Sequence, residues 1–138
     1  MKTILTCGVF DILHAGHVKF LEACKKLDKN SKLIVVISRD STVLKEKGKK
    51  PVMAEEERRL IVESLKSVDK AILGNEGSDK LIIVEELKPD IIVLGYDQDW
   101  DEKDLKKQLE KRGLKTEITR LKRYENVNST SIKNKLKI

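Results

Sequence analysis

Apolar positions along this chain follow two rhythms that take turns. Short dense runs, TILTC (3–7), KLIVVIS (32–38), KAIL (70–73), DIIVLG (90–95) and KTEITRL (115–121), predict strands. Between them apolar residues recur every three or four places. HVKFLEACKKL (17–27), DSTVLKEK (40–47), AEEERRLIVESLKSV (54–68), DKLIIVEEL (79–87), EKDLKKQLEKRG (102–113) and STSIKNKL (129–136) predict helices. Gly113 is placed where a helix closes on a left-handed residue. Runs such as LIVVI and DIIVLG are apolar on both faces, as strands covered by helices on both sides must be.

Strand and helix alternating at this spacing imply an α/β fold, a doubly wound, Rossmann-like parallel sheet of about five strands with helices on both faces. Residues 1–138 suit a single domain, and no repeat or linker divides them. Ligands of such sheets bind beyond the carboxyl ends of the strands. Those ends read CGVFD, SRD, LGNEG, LGYDQDW and LKRYE, so the segments GVFDILHAGH and GYDQDW are expected to meet on one rim.

Composition narrows the function classes. Charged residues make up 38% and hydrophobic ones 39%, which suits a folded chain rather than a disordered one. No run of 18 apolar residues occurs, and MKTILTCGVFD meets an acid before a signal-peptide core forms, so neither a membrane span nor a leader is expected. Two cysteines outside any CxxC pattern suit a reducing cytoplasm. The net charge of +6 is uneven: residues 106–138 carry eleven Lys and Arg against three acids. Such a tail suits nucleic acid, a membrane or a small polyanion, or is a solvated surface. Only Tyr124 interrupts it with an aromatic ring, so a single-strand stacking platform is not expected.

His14 and His17, the chain's two histidines, stand three apart around Gly16 where a strand pattern becomes a helical one. Zinc sites want three or four ligands, and no further histidine or cysteine cluster is present to supply them. A phosphate site fits better. A helix opening near residue 16 offers backbone N–H groups to an anion, two imidazoles add donors, and Gly8 and Gly16 permit close approach.

GVFDILHAGH resembles, at every signature position, the G-x-F-D-x-x-H-x-G-H motif of the cytidylyltransferase-like nucleotidyltransferases. RDSTVLKEKGKKPVMAEEERRLIVESLKSVDKAILG is similar to the second half-site of that family. LGYDQ resembles the corresponding loop of archaeal FAD synthetases, the FMN adenylyltransferases. RYENVNSTSI is similar to the C-terminal segment of glycerol-3-phosphate cytidylyltransferases, whose own loop reads closer to G-D-D-W.

The resemblance implies attack of an acceptor phosphate on the α-phosphorus of a nucleoside triphosphate, with pyrophosphate leaving. ATP with FMN is the favoured pair, CTP with glycerol 3-phosphate the alternative, and a nucleotide-binding regulator the non-enzyme reading. It further implies that His14 and His17 bind the triphosphate and stabilise the transferring group. Val9 and Phe10 then line the nucleotide through their backbone, beside Ala15 and Gly16. Asp11 is read as a magnesium or histidine-orienting group, or as a helix-entry cap. A mobile lysine reaches the phosphates, Lys45 or Lys47 on a flexible segment. Asp97 stands near sugar or base, and Trp100 stacks on a ring or covers a loop. Arg123, Tyr124, Ser129 and Thr130 form a second anion site, or Asn128 or Ser129 caps the last helix. A divalent cation, Mg2+, accompanies the nucleotide, no nucleic acid or membrane is involved, and a homodimer is implied.

Overall fold

The computed structural model describes residues 1–121. Its core is one parallel sheet of five strands in the order β3-β2-β1-β4-β5. The strands are β1 (Lys2–Gly8), β2 (Ser31–Ile37), β3 (Lys70–Leu73), β4 (Ile91–Leu94) and β5 (Glu117–Arg120). The helices are α1 (Ala15–Lys25), α2 (Asp40–Lys47), α3 (Glu55–Glu63), α4 (Ile82–Leu87) and α5 (Glu102–Lys111). The α/β, doubly wound, Rossmann-like architecture is as the two rhythms predicted.

β1 is central because it is paired on both sides, with β2 along its whole length and with β4 at Ile4–Thr6. From β1 the chain steps outward to β2 and β3, then returns past β1 to lay down β4 and β5. Since parallel crossovers are right-handed, reversing the direction of travel moves the helices to the other face. On one face α1 and α3 set Leu21, Cys24 and Val62 against Ile4, Leu33, Val35, Ile37 and Val93. On the other, α4 and α5 set Val84, Leu105 and Leu109 against Leu5, Ile34, Val36, Ile92 and Leu94. Neighbouring residues of one strand thus serve opposite cores, and this is why the central strands read as continuous apolar runs.

Element ends differ from expectation where side chains intervene. The helix predicted over 54–68 is α3, which stops at Glu63, and the Ser64 hydroxyl donates to the Ile61 carbonyl as the chain turns toward β3. The helix predicted from residue 79 starts at Ile82, because the Asp79 carboxylate accepts from the Leu81 amide and holds a turn there. α5 ends as expected: Gly113 has φ +76°, its amide donates to Glu110, and the Leu114 amide donates to Leu109. Among the described residues no helix is long and apolar enough to cross a membrane.

Leu21 is fully buried and anchors α1, the helix that carries His17 and is capped by His14, to the sheet. Leu21→Ala is expected to lower the unfolding free energy by about 3 kcal/mol, from lost transfer energy plus the cavity. Urea denaturation measures it, and a loss under about 1 kcal/mol would mean that α1 is not seated on this core.

Candidate active site

Strand order reverses at β1, so a crevice opens beyond the carboxyl ends of β1 and β4. Two segments build it: Val9–His14 after β1 and Gly95–Trp100 after β4.

The first segment is tightly wound. Phe10 has φ +50°, a left-handed conformation unusual for an aromatic residue and of the kind that collects at functional sites. This conformation folds its ring back over Gly8, where an added Cβ would lie 2.6 Å from Phe10 Cε2. Gly8 is therefore glycine because the Phe10 ring occupies the space of a side chain. The ring also stands 5.4 Å from that of His17, tilted by 60°. The chain is pinned from outside by Arg58, whose side chain is fully buried. Its guanidinium donates to the Val9 carbonyl at 2.8 Å, the Met53 carbonyl at 3.0 Å and the Asp40 carboxylate at 2.7 Å.

His14 and His17 cap α1 for each other. The Gly16 amide donates to His14 Nδ1 at 3.0 Å, and the His14 amide donates to His17 Nδ1 at 3.3 Å. The rings lie 4.0 Å apart. Part of the helix N-terminus expected to face an anion is thus already used, since the Gly16 N–H is bound to an imidazole. An Nδ1 that accepts carries no proton, so each neutral ring holds its proton on Nε2. The cap thereby makes each Nε2–H a donor. Burial, and then His14 alongside, lower the His17 pKa to about 4, so this ring is neutral near pH 7.

Asp11 does not cap α1, a place taken by His14. The buried Asp11 carboxylate accepts from the Val52 amide at 2.8 Å and the Met53 amide at 2.9 Å. It thereby ties the segment before α3 to the β1 exit. Lys45 and Lys47, expected on a flexible segment, are exposed in the last turn of α2, and the turn out of the helix begins at Gly48, φ +77°. Asp97 is exposed on the rim, as is Ala15, while Gly16 is half-buried. Trp100 packs partly buried against the α4–α5 core, the covering position of the two considered. Arg123, Tyr124, Ser129 and Thr130 lie outside the described residues.

Two residues hold the second segment, and the sequence, although LGYDQ includes the first of them, signalled the holding role of neither. Gln98 Nε2 donates to the Cys7 carbonyl at 2.8 Å while its Oε1 accepts from the Gly95 amide at 2.8 Å, so one side chain bridges β1 and β4. Arg120, the last residue of β5, donates to three carbonyls of the Gly95–Trp100 loop. A glutamine within a loop and an arginine at a strand end do not show in the sequence which carbonyls they will meet.

A parallel sheet with a reversal point, and beside it two imidazoles whose Nδ1 bonds leave Nε2–H as the donor, suit a nucleotide-handling α/β enzyme. The chain belongs to the Cytidylyltransferase-like family, whose model matches residues 5–135, and it is a nucleotidyltransferase. It is 52% identical to the FAD synthase of Aciduliprofundum boonei over 124 residues, 90% of this chain and 80% of that one. It is 47% identical to the FAD synthase of Thermoplasma acidophilum over 133 residues, 96% of this chain and 91% of that one. The crystal structure of the lipopolysaccharide core biosynthesis protein from Thermoplasma volcanium matches with a TM-score of 0.84 at 46% identity, covering 91% of this chain and 99% of that one.

The His17 pKa has a consequence for stability. Between pH 6.5 and 4 the unfolded chain takes up a proton at His17 that the folded chain refuses, so stability falls as pH falls through that window. His17→Asn is expected to remove on the order of 2 kcal/mol of that fall, measured by urea unfolding at pH 7 and pH 4. Identical pH dependences for both proteins would mean that His17 is not held neutral. Separately, Gly8→Ala is expected to push Phe10 toward His17 and cut turnover by about tenfold or more with a small change in Tm, whereas near-normal turnover would show that the ring yields freely.

Proposed function

We propose that this chain is an FMN adenylyltransferase, which joins the AMP moiety of ATP to the phosphate of FMN to give FAD and pyrophosphate. The observation that carries the reading is the identity of about half with FAD synthases over nine-tenths or more of this chain.

A phosphate oxygen of FMN attacks the α-phosphorus, the bond from that phosphorus to the bridging oxygen breaks, and pyrophosphate departs. The nucleophile is already an anion, so no side chain need act as a strong base. Catalysis then rests on positioning and on stabilising charge spread over the phosphoryl oxygens. In this reading the Nε2–H groups of His14 and His17 donate to the α-phosphoryl and leaving oxygens. Neutral imidazoles held by their Nδ1 bonds keep those donors aimed before substrate arrives.

The backbone of Val9 and Phe10, with Ala15 and Gly16, lines the nucleotide, and Asp97 meets sugar or base. Lys45 or Lys47 meets the phosphates, and Arg123, Tyr124, Ser129 and Thr130 supply a second anion site. Mg2+ comes with the nucleotide: among the described residues no three or more His, Cys, Asp or Glu side chains gather, and Mg2+ is commonly held by substrate phosphates with one or two carboxylates. The reading places the chain in the cytoplasm with its substrates, as a homodimer.

Purified protein with Mg2+ is offered ATP plus FMN, and separately CTP plus glycerol 3-phosphate, with products identified by mass. FAD and pyrophosphate from the first pair are the expected result. CDP-glycerol from the second pair, without FAD, would replace the reading with the cytidylyltransferase, and nucleotide binding without pyrophosphate would favour a regulator. His17→Ala is expected to keep the fold and lose on the order of 10²–10³ in turnover, as for a lost oxyanion donor. Turnover near that of the unaltered protein would remove the histidine role.

A further inference from the structure

The Gly95–Trp100 loop is gripped from two sides. From β1, the Gln98 amide is held at both of its ends by backbone, Nε2 on the Cys7 carbonyl and Oε1 on the Gly95 amide. From β5, Arg120 Nη1 donates to the carbonyls of Gly95 at 2.8 Å and Gln98 at 2.9 Å, and Nη2 to that of Trp100 at 2.7 Å. Its Nε donates to the Glu102 carboxylate at 2.7 Å. Four of the five guanidinium N–H groups are thereby engaged, in a planar fork that an ammonium cannot reproduce. With these carbonyls drawn onto Arg120, Tyr96, Asp97 and Asp99 are the exposed members of the loop.

We infer that Arg120 is a positioning residue for nucleotide binding: it holds the Gly95–Trp100 loop in one conformation so that Tyr96 and Asp97 stand ready at the crevice between β1 and β4. A short polar loop without this clamp populates many conformations, and a ligand that orders it on binding loses affinity by that amount. Arg120 itself is turned onto the loop carbonyls and acts through the loop. The inference rests on the nucleotide-binding site proposed above and does not depend on FMN being the acceptor.

The test is the ATP dissociation constant by titration, alongside KM and kcat for FAD formation, in Arg120→Met, Arg120→Lys, Asp97→Ala and the Arg120→Met/Asp97→Ala double variant. Both Arg120 variants are expected to weaken ATP binding about tenfold and raise its KM equally, with kcat within about threefold at saturation. Lysine keeps the charge and loses the fork, so its failure to restore binding separates positioning from simple attraction. In the double variant the loss is expected to match that of Asp97→Ala alone within about threefold, since both act through one presented loop. Full restoration by lysine, unchanged ATP binding, or losses that multiply in the double variant would each overturn the inference.

Amide hydrogen exchange in the unaltered protein tests it without any variant. The amides of Gly95, Gln98 and Trp100 are hydrogen-bonded within the clamp and are expected to be protected before ATP is added. Protection gained only with ATP would overturn the inference even if FAD is formed. ATP binding with protected amides but no FAD would sustain the clamp and remove the acceptor assignment instead.

Discussion

Everything in this molecule follows from β1 having a partner on each side. A strand paired along both edges and covered on both faces cannot present side chains to solvent along its length, so its chemistry is confined to its carboxyl end. The crossovers to β2 and to β4 lie on opposite faces, and the two layers of helix therefore part where β1 ends. The crevice is a consequence of the winding and needs no special residues to open it. What the residues decide is how that crevice is furnished.

The furnishing depends on backbone constraints converted into side-chain direction. Arg58 holds Val9 from behind, and Asp11 holds the amides of Val52 and Met53, so the exit from β1 is fixed before α1 begins. Phe10 then takes a conformation that its own side chain disfavours, and its ring closes over Gly8 and abuts His17. The two imidazoles use Nδ1 to cap the helix and so must keep their remaining proton on Nε2. A single set of hydrogen bonds thus ends a strand, starts a helix and settles a tautomer. The same bonds explain why an apolar, partly buried setting suits His17: a charged ring could not accept the His14 amide.

Legibility in the sequence followed the range of the interaction. The strand and helix rhythms report burial on faces, a property each segment carries by itself, and all five described strands and five described helices were visible in them. Their ends were less so, because Asp79 and Ser64 intervene by bonds specific to one turn. The histidines stood out through motif spacing, yet their mutual capping did not, since a cap needs the ring orientation and not only the interval of three. The helical pattern over 40–47 was legible and α2 ends at Lys47 as it predicts, whereas the flexibility implied for Lys45 and Lys47 came from the resemblance and not from the pattern.

The amino-acid sequence by itself determined the layered parallel sheet, the rim on which ligands bind, and the histidine pair at its centre. Periodicity and local spacing are enough for each of these. The tertiary structure alone decided that Gln98 reaches back to Cys7, that Arg58 grips Val9, and that Arg120 gathers the loop after β4. Those bonds join residues 91, 49 and 25 positions apart. A glutamine or arginine that will be held by carbonyls is written with the same letter as one left in water, and only the folded chain supplies the carbonyls that tell them apart.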